Sequence, residues 1–183
     1  MDNGKISVRY ARALFNTANE LQCGKAVYEG LARLAENYSL APSQFNEALS
    51  NPMVSADEKL RLLLSATGEP VHPCLEHFFR FLIEKRRESK IHLIALQYQE
   101  MYRAENHILR ADVTTAIAPD EKTVNHIREF VEQNFHCEAE LHLNVDPALI
   151  GGFTLDIEHE RMDASIKGRL KQLRGELEVR SKK

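Results

Sequence analysis

Asp146-Pro147-Ala148-Leu149-Ile150-Gly151-Gly152-Phe153, followed after a short alternating run by Asp163-Ala164-Ser165-Ile166, is the stretch that decides the fold. Asp146-Pro147 turns the chain. The glycine pair marks a backbone that needs positive φ or a close approach of another segment. Phe153, Leu155 and Ile157 then alternate with polar residues, which predicts a strand. Asp163 is placed to cap a final helix whose apolar residues, Ile166, Leu170, Leu173 and Leu177, recur at three- and four-residue steps. Because Gly151-Gly152 leads into a strand, it is no phosphate cradle, which needs its glycines ahead of a helix N-terminus.

Upstream of this stretch the period is also 2. Leu109, Ala111, Val113, Thr115 and Ile117 alternate, as do Leu141, Leu143 and Val145, and between them Pro119-Asp120 opens a helix carrying Val124, Ile127, Val131 and Phe135. Residues 110–183 therefore read as β-α-β-β-α. Ahead of Leu109 the period is near 3.6 throughout. Helices are predicted around Tyr10, Ala11, Leu14, Ala18 and Leu21; around Val27, Leu31, Leu34 and Tyr38; around Phe45, Ala48 and Leu49; and around Leu60, Leu63 and Leu64. Two more follow, around Leu75, Phe78, Phe79, Leu82 and Ile83, and from about Ile91 to Ile108. Ser55-Ala56-Asp57-Glu58 is a capping box, and Pro73 sits at a tolerated first-turn position. The expected fold is α plus small α/β: a six-helix bundle over residues 1–109, then a β-α-β-β-α domain over 110–183.

Composition bounds the function. The 183 residues carry a net charge of −3, which argues against strong capture of a nucleic-acid backbone. The charge is uneven: 13 basic against 13 acidic through Leu109, 4 against 12 from Arg110 to Asp163, and 7 against 2 from Lys167 to Lys183. Three widely spaced cysteines without a CxxC pair fit free thiols in a reducing compartment. No apolar run approaches the roughly 20 residues of a membrane span. The acidic start, Met1-Asp2-Asn3-Gly4, does not look like an organellar presequence. Any membrane association is expected to run through partners.

Chemistry is hard to find. His72 and His77 are five apart, which does not stack them on one helix face, and Cys74 between them points elsewhere, so no metal site is expected. Asp163 and Ser165 have no histidine in a matching motif. No catalytic residue and no cofactor is expected. What stands out is apolar breadth. At 100° per residue, the apolar side chains of the first helix, among them Tyr10, Leu14 and Phe15, cover roughly 220° of its circumference. Those of the fifth, among them Phe78, Phe81 and Leu82, cover roughly 200°, where a core-facing stripe needs little more than ~100°. Either these helices are central in the bundle, or each keeps an edge for an amphipathic partner helix.

Together these features resemble the delta subunit of the bacterial F-type ATP synthase, the family of the oligomycin-sensitivity-conferring protein. The resemblance rests on Asp146 to Phe153 with Gly151, Gly152 and Phe153, then Asp163, Ser165, Leu170 and Leu173, and on Arg9-Tyr10-Ala11-Arg12-Ala13-Leu14-Phe15 and Asn51-Pro52 near the other end. It covers essentially the whole chain. Ala164 stands where the family usually has glycine, and the charged tail from Glu176 to Lys183 matches no pattern.

The resemblance implies a non-catalytic stator subunit, peripheral on the cytoplasmic side of a bacterial membrane. It implies a helical domain that takes the N-terminal helices of alpha subunits, and a C-terminal domain that holds the b-type stalk. On that basis Tyr10, Leu14, Phe15, Phe78, Phe81 and Leu82 are the candidate alpha-binding residues. The final helix and its neighbouring sheet form the stalk side, with Leu177 the candidate contact. The alternative is an RNA-binding helical bundle of the transcription antitermination type, which needs a basic face that this neutral bundle lacks.

Overall fold

The computed structural model describes residues 3–157, 160–166 and 168. Leu170, Leu173, Leu177 and the tail lie outside the described residues. The chain divides between Asn106 and His107 into two units.

The first unit holds six helices: α1 (Asn3–Glu20), α2 (Gly24–Leu40), α3 (Pro42–Ser50), α4 (Ala56–Thr67), α5 (Pro73–Glu84) and α6 (Ile91–Glu105). A 3₁₀ turn over Glu88–Lys90 precedes α6. The helices enclose one apolar cluster that includes Leu14, Leu31, Leu34, Leu63, Phe79, Leu82, Ile94 and Tyr98. The Tyr98 hydroxyl is not stranded there, since it donates to the Gly24 carbonyl at 3.2 Å. The predicted capping box forms: Ser55 Oγ accepts from the Glu58 amide at 3.3 Å, and Glu58 Oε2 accepts from the Ser55 amide at 2.9 Å. At the start of α5, beside Pro73, His72 Nδ1 accepts from the Cys74 amide at 3.2 Å.

One tie has no local signal. Lys59 of α4 reaches Glu88 in the 3₁₀ turn at 2.7 Å, and both side chains are about nine-tenths buried. The pair joins α4 to the turn, and removing either partner would leave the other charge buried and unpaired.

Two boundaries differ from expectation. Leu21 falls beyond the end of α1, where Gln22 takes φ 53°, so it is 60% exposed rather than part of the apolar stripe. The last helix of the bundle stops at Glu105, because Asn106 and His107 (φ 52°) leave helical geometry; Ile108 and Leu109 belong to the next strand and to the second unit.

Among its described residues, the second unit is a four-stranded mixed sheet with the helix α7 packed on it. Its elements are β1 (Ile108–Thr115), α7 (Glu121–Phe135), β2 (Glu138–Val145), β3 (Phe153–Ile157) and β4 (Glu160–Asp163), and the strand order is β2-β1-β3-β4. β1 runs parallel to β2, as the intervening helix requires, and antiparallel to β3, which in turn is antiparallel to β4. Ala111, Val113, Leu155 and Ile157 meet Ile127 and Val131 of α7 in its core. Ile117 lies past the end of β1 and is exposed, as is Phe135 at the end of α7. β4 was not expected: Glu160-Arg161-Met162-Asp163 shows no apolar alternation, because an edge strand is held by backbone pairing with β3 and tolerates charge.

Candidate partner-binding site

The two halves of the glycine motif meet. Gly152 takes φ 77°, and a Cβ there would strike the carbonyl oxygen of Ala164 and approach Ser165 Cα to 2.9 Å. The Gly151 carbonyl accepts from the Ile166 amide at 2.9 Å, and the Phe153 carbonyl from the Ala164 amide at 3.0 Å. Gly152 is thus glycine because the segment 164–166 crosses it at backbone distance. Asp163 is the last residue of β4 and not the helix cap. Its Oδ1 accepts from the Ser165 amide at 2.9 Å and from the Ser165 hydroxyl, in the manner of an Asx turn, while Ser165 Oγ accepts from the Gly168 amide at 2.9 Å. Ser165 therefore performs the capping that the sequence assigned to Asp163. Those two donations hold the Asp163 carboxyl below its ordinary range. The arrangement is structural and presents no nucleophile.

The candidate alpha-binding residues separate by position. Leu14 and Leu82 are core residues, 3% and 0% exposed, and Phe78 is buried beside Phe79. They offer little surface to a partner and pack in the core of the bundle. Phe15 is half-buried against Tyr98 of α6, with ring centroids 5.8 Å apart. Tyr10 instead meets Phe81 of α5, with centroids 6.0 Å apart and planes at 45°. Five residues along a helix is about 140° of rotation, so Tyr10 and Phe15 cannot line one groove. The structure brings together Tyr10 and Phe81, and Phe81 is 44% exposed.

Two cations flank this aromatic pair, Arg9 from the N-terminal motif and Lys85, which no motif marks. Lys85 Nζ lies 5.6 Å from the Phe81 ring centroid, and Arg9 Cζ lies 5.7 Å from that of Tyr10. The signal for Lys85 was present as spacing, an aromatic followed four residues later by a lysine. Next to the pair, Lys5, Val8, Arg9, Arg12 and Ala13 line a shallow depression along α1.

The second unit has its own open apolar face. Ile127 and Phe130 of α7, Phe153 of β3 and Met162 of β4 line a cleft of about 580 Å³, and Phe130 is 41% exposed. Asn134, Phe135, Leu155 and Ile157 line a neighbouring one that shares Phe130 and Met162. An exposed aromatic and a methionine on a single helix–sheet cleft are the residue types that adaptable protein contacts use.

Two of the three free thiols lie inside the first unit, and Cys137 of the second is half-buried. Cys23 and Cys74 are buried, and desolvation, reinforced by the neighbouring Cys23 thiol, pushes the Cys74 thiol up to about 11. Such a thiol stays protonated and inert. Among the described residues no group of His, Cys, Asp or Glu is arranged to hold a metal ion, and no helix is long and apolar enough to cross a membrane.

The first unit is thus helical with an aromatic edge, and the second is an α/β unit with an apolar cleft. The model of the ATP synthase delta (OSCP) subunit family matches residues 6–177. The ATP synthase subunit delta of Parabacteroides distasonis is 38% identical over 95% of this chain and 96% of that protein. That of Phocaeicola vulgatus is 35% identical over 93% and 92%. The chain belongs to the ATP synthase delta (OSCP) subunit family, whose members are non-catalytic subunits of the complex. Among solved structures, a chain of the Toxoplasma gondii mitochondrial ATP synthase hexamer shares the fold, with a TM-score of 0.66 at 23% identity over 93% of this chain and 96% of that one.

Proposed function

We propose that this chain is the stator subunit that links the alpha subunits of an F-type ATP synthase head to its b-type peripheral stalk, so that rotor torque is resisted. Family membership over residues 6–177 supports the complex, and the exposed Tyr10–Phe81 edge is the observation that carries the contact. In this reading an alpha-subunit N-terminal helix lays its apolar face along α1 and α5, touching Tyr10 and Phe81, while Leu14, Phe78 and Leu82 support the edge from within. The stalk helices take the cleft of the second unit between α7 and the β3–β4 edge, around Phe130, Phe153 and Met162. The protein then sits at the bacterial cytoplasmic membrane only through the complex.

The test is co-purification of the whole chain with alpha and b-type subunits. Phe81→Glu is expected to lose alpha and keep b, and Phe130→Glu to do the opposite. A chain that captured neither partner would overturn the proposal. The RNA-binding alternative gains nothing from the structure, whose exposed aromatic edge carries only a narrow cationic stripe. Salt-sensitive RNA retention on a filter is the result that would revive it.

A further inference from the structure

Lys5, Arg9 and Arg12 recur along α1 at the four- and three-residue steps that stack side chains on one helix face. All three are exposed. No carboxylate stands between Gly4 and Asn19, and among the described residues none of the three cations has an ion-pair partner.

For the helix alone this arrangement is unfavourable. Lys5 stands in the first turn, beside the positive end of the helix dipole, where a carboxylate would stabilise and a cation does not. Lys5–Arg9 and Arg9–Arg12 are like-charge neighbours, each destabilising. The α5 side of the same edge is different, because Arg80 is paired with Glu76 at 2.8 Å and Lys85 with Glu84 at 2.6 Å. The Lys5, Arg9 and Arg12 stripe, next to the Tyr10–Phe81 rings, has no such pairing among the described residues. The unit as a whole is balanced, 13 basic to 13 acidic through Leu109, so this is a local stripe and not the broad basic field that a polyanion needs.

Resting on the reading that this edge seats a partner helix, we infer that the helix carries a row of carboxylates on the flank facing α1, spaced to pair with Lys5, Arg9 and Arg12. Apolar contact with Tyr10 and Phe81 gives the depth of the site, and the carboxylate row sets the partner's rotation about its own axis and its direction along α1. The repulsion stored on α1 is relieved only in the complex.

Titration calorimetry of the full chain with a synthetic peptide of the same organism's alpha-subunit N-terminus tests this at about 50 and about 300 mM NaCl. A second peptide, with every Asp and Glu changed to its amide, is run beside it. Affinity is expected to fall roughly tenfold with salt, and by a similar factor for the amide peptide at low salt. The variant Lys5→Gln/Arg9→Gln/Arg12→Gln is expected to bind roughly tenfold more weakly with little remaining salt dependence, while its melting temperature is not lowered. Salt-independent binding, or an amide peptide of undiminished affinity, overturns the inference and leaves the groove reading standing. A parent peptide that fails to bind at either salt concentration overturns both. Binding to anionic phospholipid vesicles that the triple variant abolishes, with peptide affinity unmoved by salt, would assign the stripe to a membrane surface instead.

Discussion

Tyr10 of α1 and Phe81 of α5 stand ring to ring, 6.0 Å between centroids, each with a cation within 6 Å of its face. Phe81 is exposed, whereas Tyr10 is half-buried against the core of the bundle. Phe81→Glu is expected to change stability by less than about 1 kcal/mol, since the side chain is already 44% exposed, yet to abolish alpha-peptide binding. Leu82→Ala, one residue away, is expected to cost about 2–5 kcal/mol because it opens a cavity in a fully buried site. Denaturant unfolding beside calorimetric titration separates the two effects.

The glycine pair should behave unequally. Gly152→Ala forces a Cβ into positive-φ backbone and against the Ala164 carbonyl, neither of which can move without unseating the segment 164–166. A loss of about 2–3 kcal/mol in the second unit is expected. Gly151→Ala meets only the outer methyl of Ile166, a half-exposed side chain that can rotate away, and should cost under about 1 kcal/mol. Hydrogen exchange at the amides of β3 and α7 reads both, and equal protection in the two variants would contradict this account.

Asp163 gives a pH dependence of defined sign. Its folded-state pKa lies below the ordinary 3.8, lowered first by the Ser165 hydroxyl and then by the Ser165 amide. Its contribution is therefore complete above the unfolded-state pKa and is lost as pH falls through the folded one. The stability difference between the wild type and Asp163→Asn should be flat from neutral pH down to about 5 and shrink below about 4. Urea unfolding across that range checks it, and a difference that grows on acidification has the wrong sign.

The Lys59–Glu88 tie predicts strong non-additivity. Lys59→Met leaves the Glu88 carboxylate buried without its cation and should cost about 3–5 kcal/mol. Adding Glu88→Leu should recover most of that loss. A double-mutant cycle by chemical denaturation measures the coupling, and additive single losses would contradict a paired site.

Helix positions in the first unit were legible in the sequence because each has a local cause. Pro73, the Ser55 capping box and the leucine spacing act within a few residues of the structure they dictate. What was not legible is tertiary. Leu14 and Phe81 are both large apolar residues on broad arcs, and only the packing of the neighbouring helices shows that Leu14 is covered and Phe81 is not. Phe15 could have been separated from Tyr10 by its rotation about the helix, since the 140° between them was already in the numbering. β4 was hidden because its partner, β3, supplies the pattern. The capping role passed from Asp163 to Ser165 for a similar reason: both residues suit an N-cap, and the end of β4 decides which one stands at the helix start.

The most direct test of the bridging role is sedimentation of the purified catalytic head and b-type stalk dimer, with and without this chain. The account predicts that head and stalk co-sediment only when the chain is present, that Phe81→Glu leaves it with the stalk alone, and that Phe130→Glu leaves it with the head alone. Head and stalk that associate equally well without it, or a chain that joins neither, would contradict the proposed function.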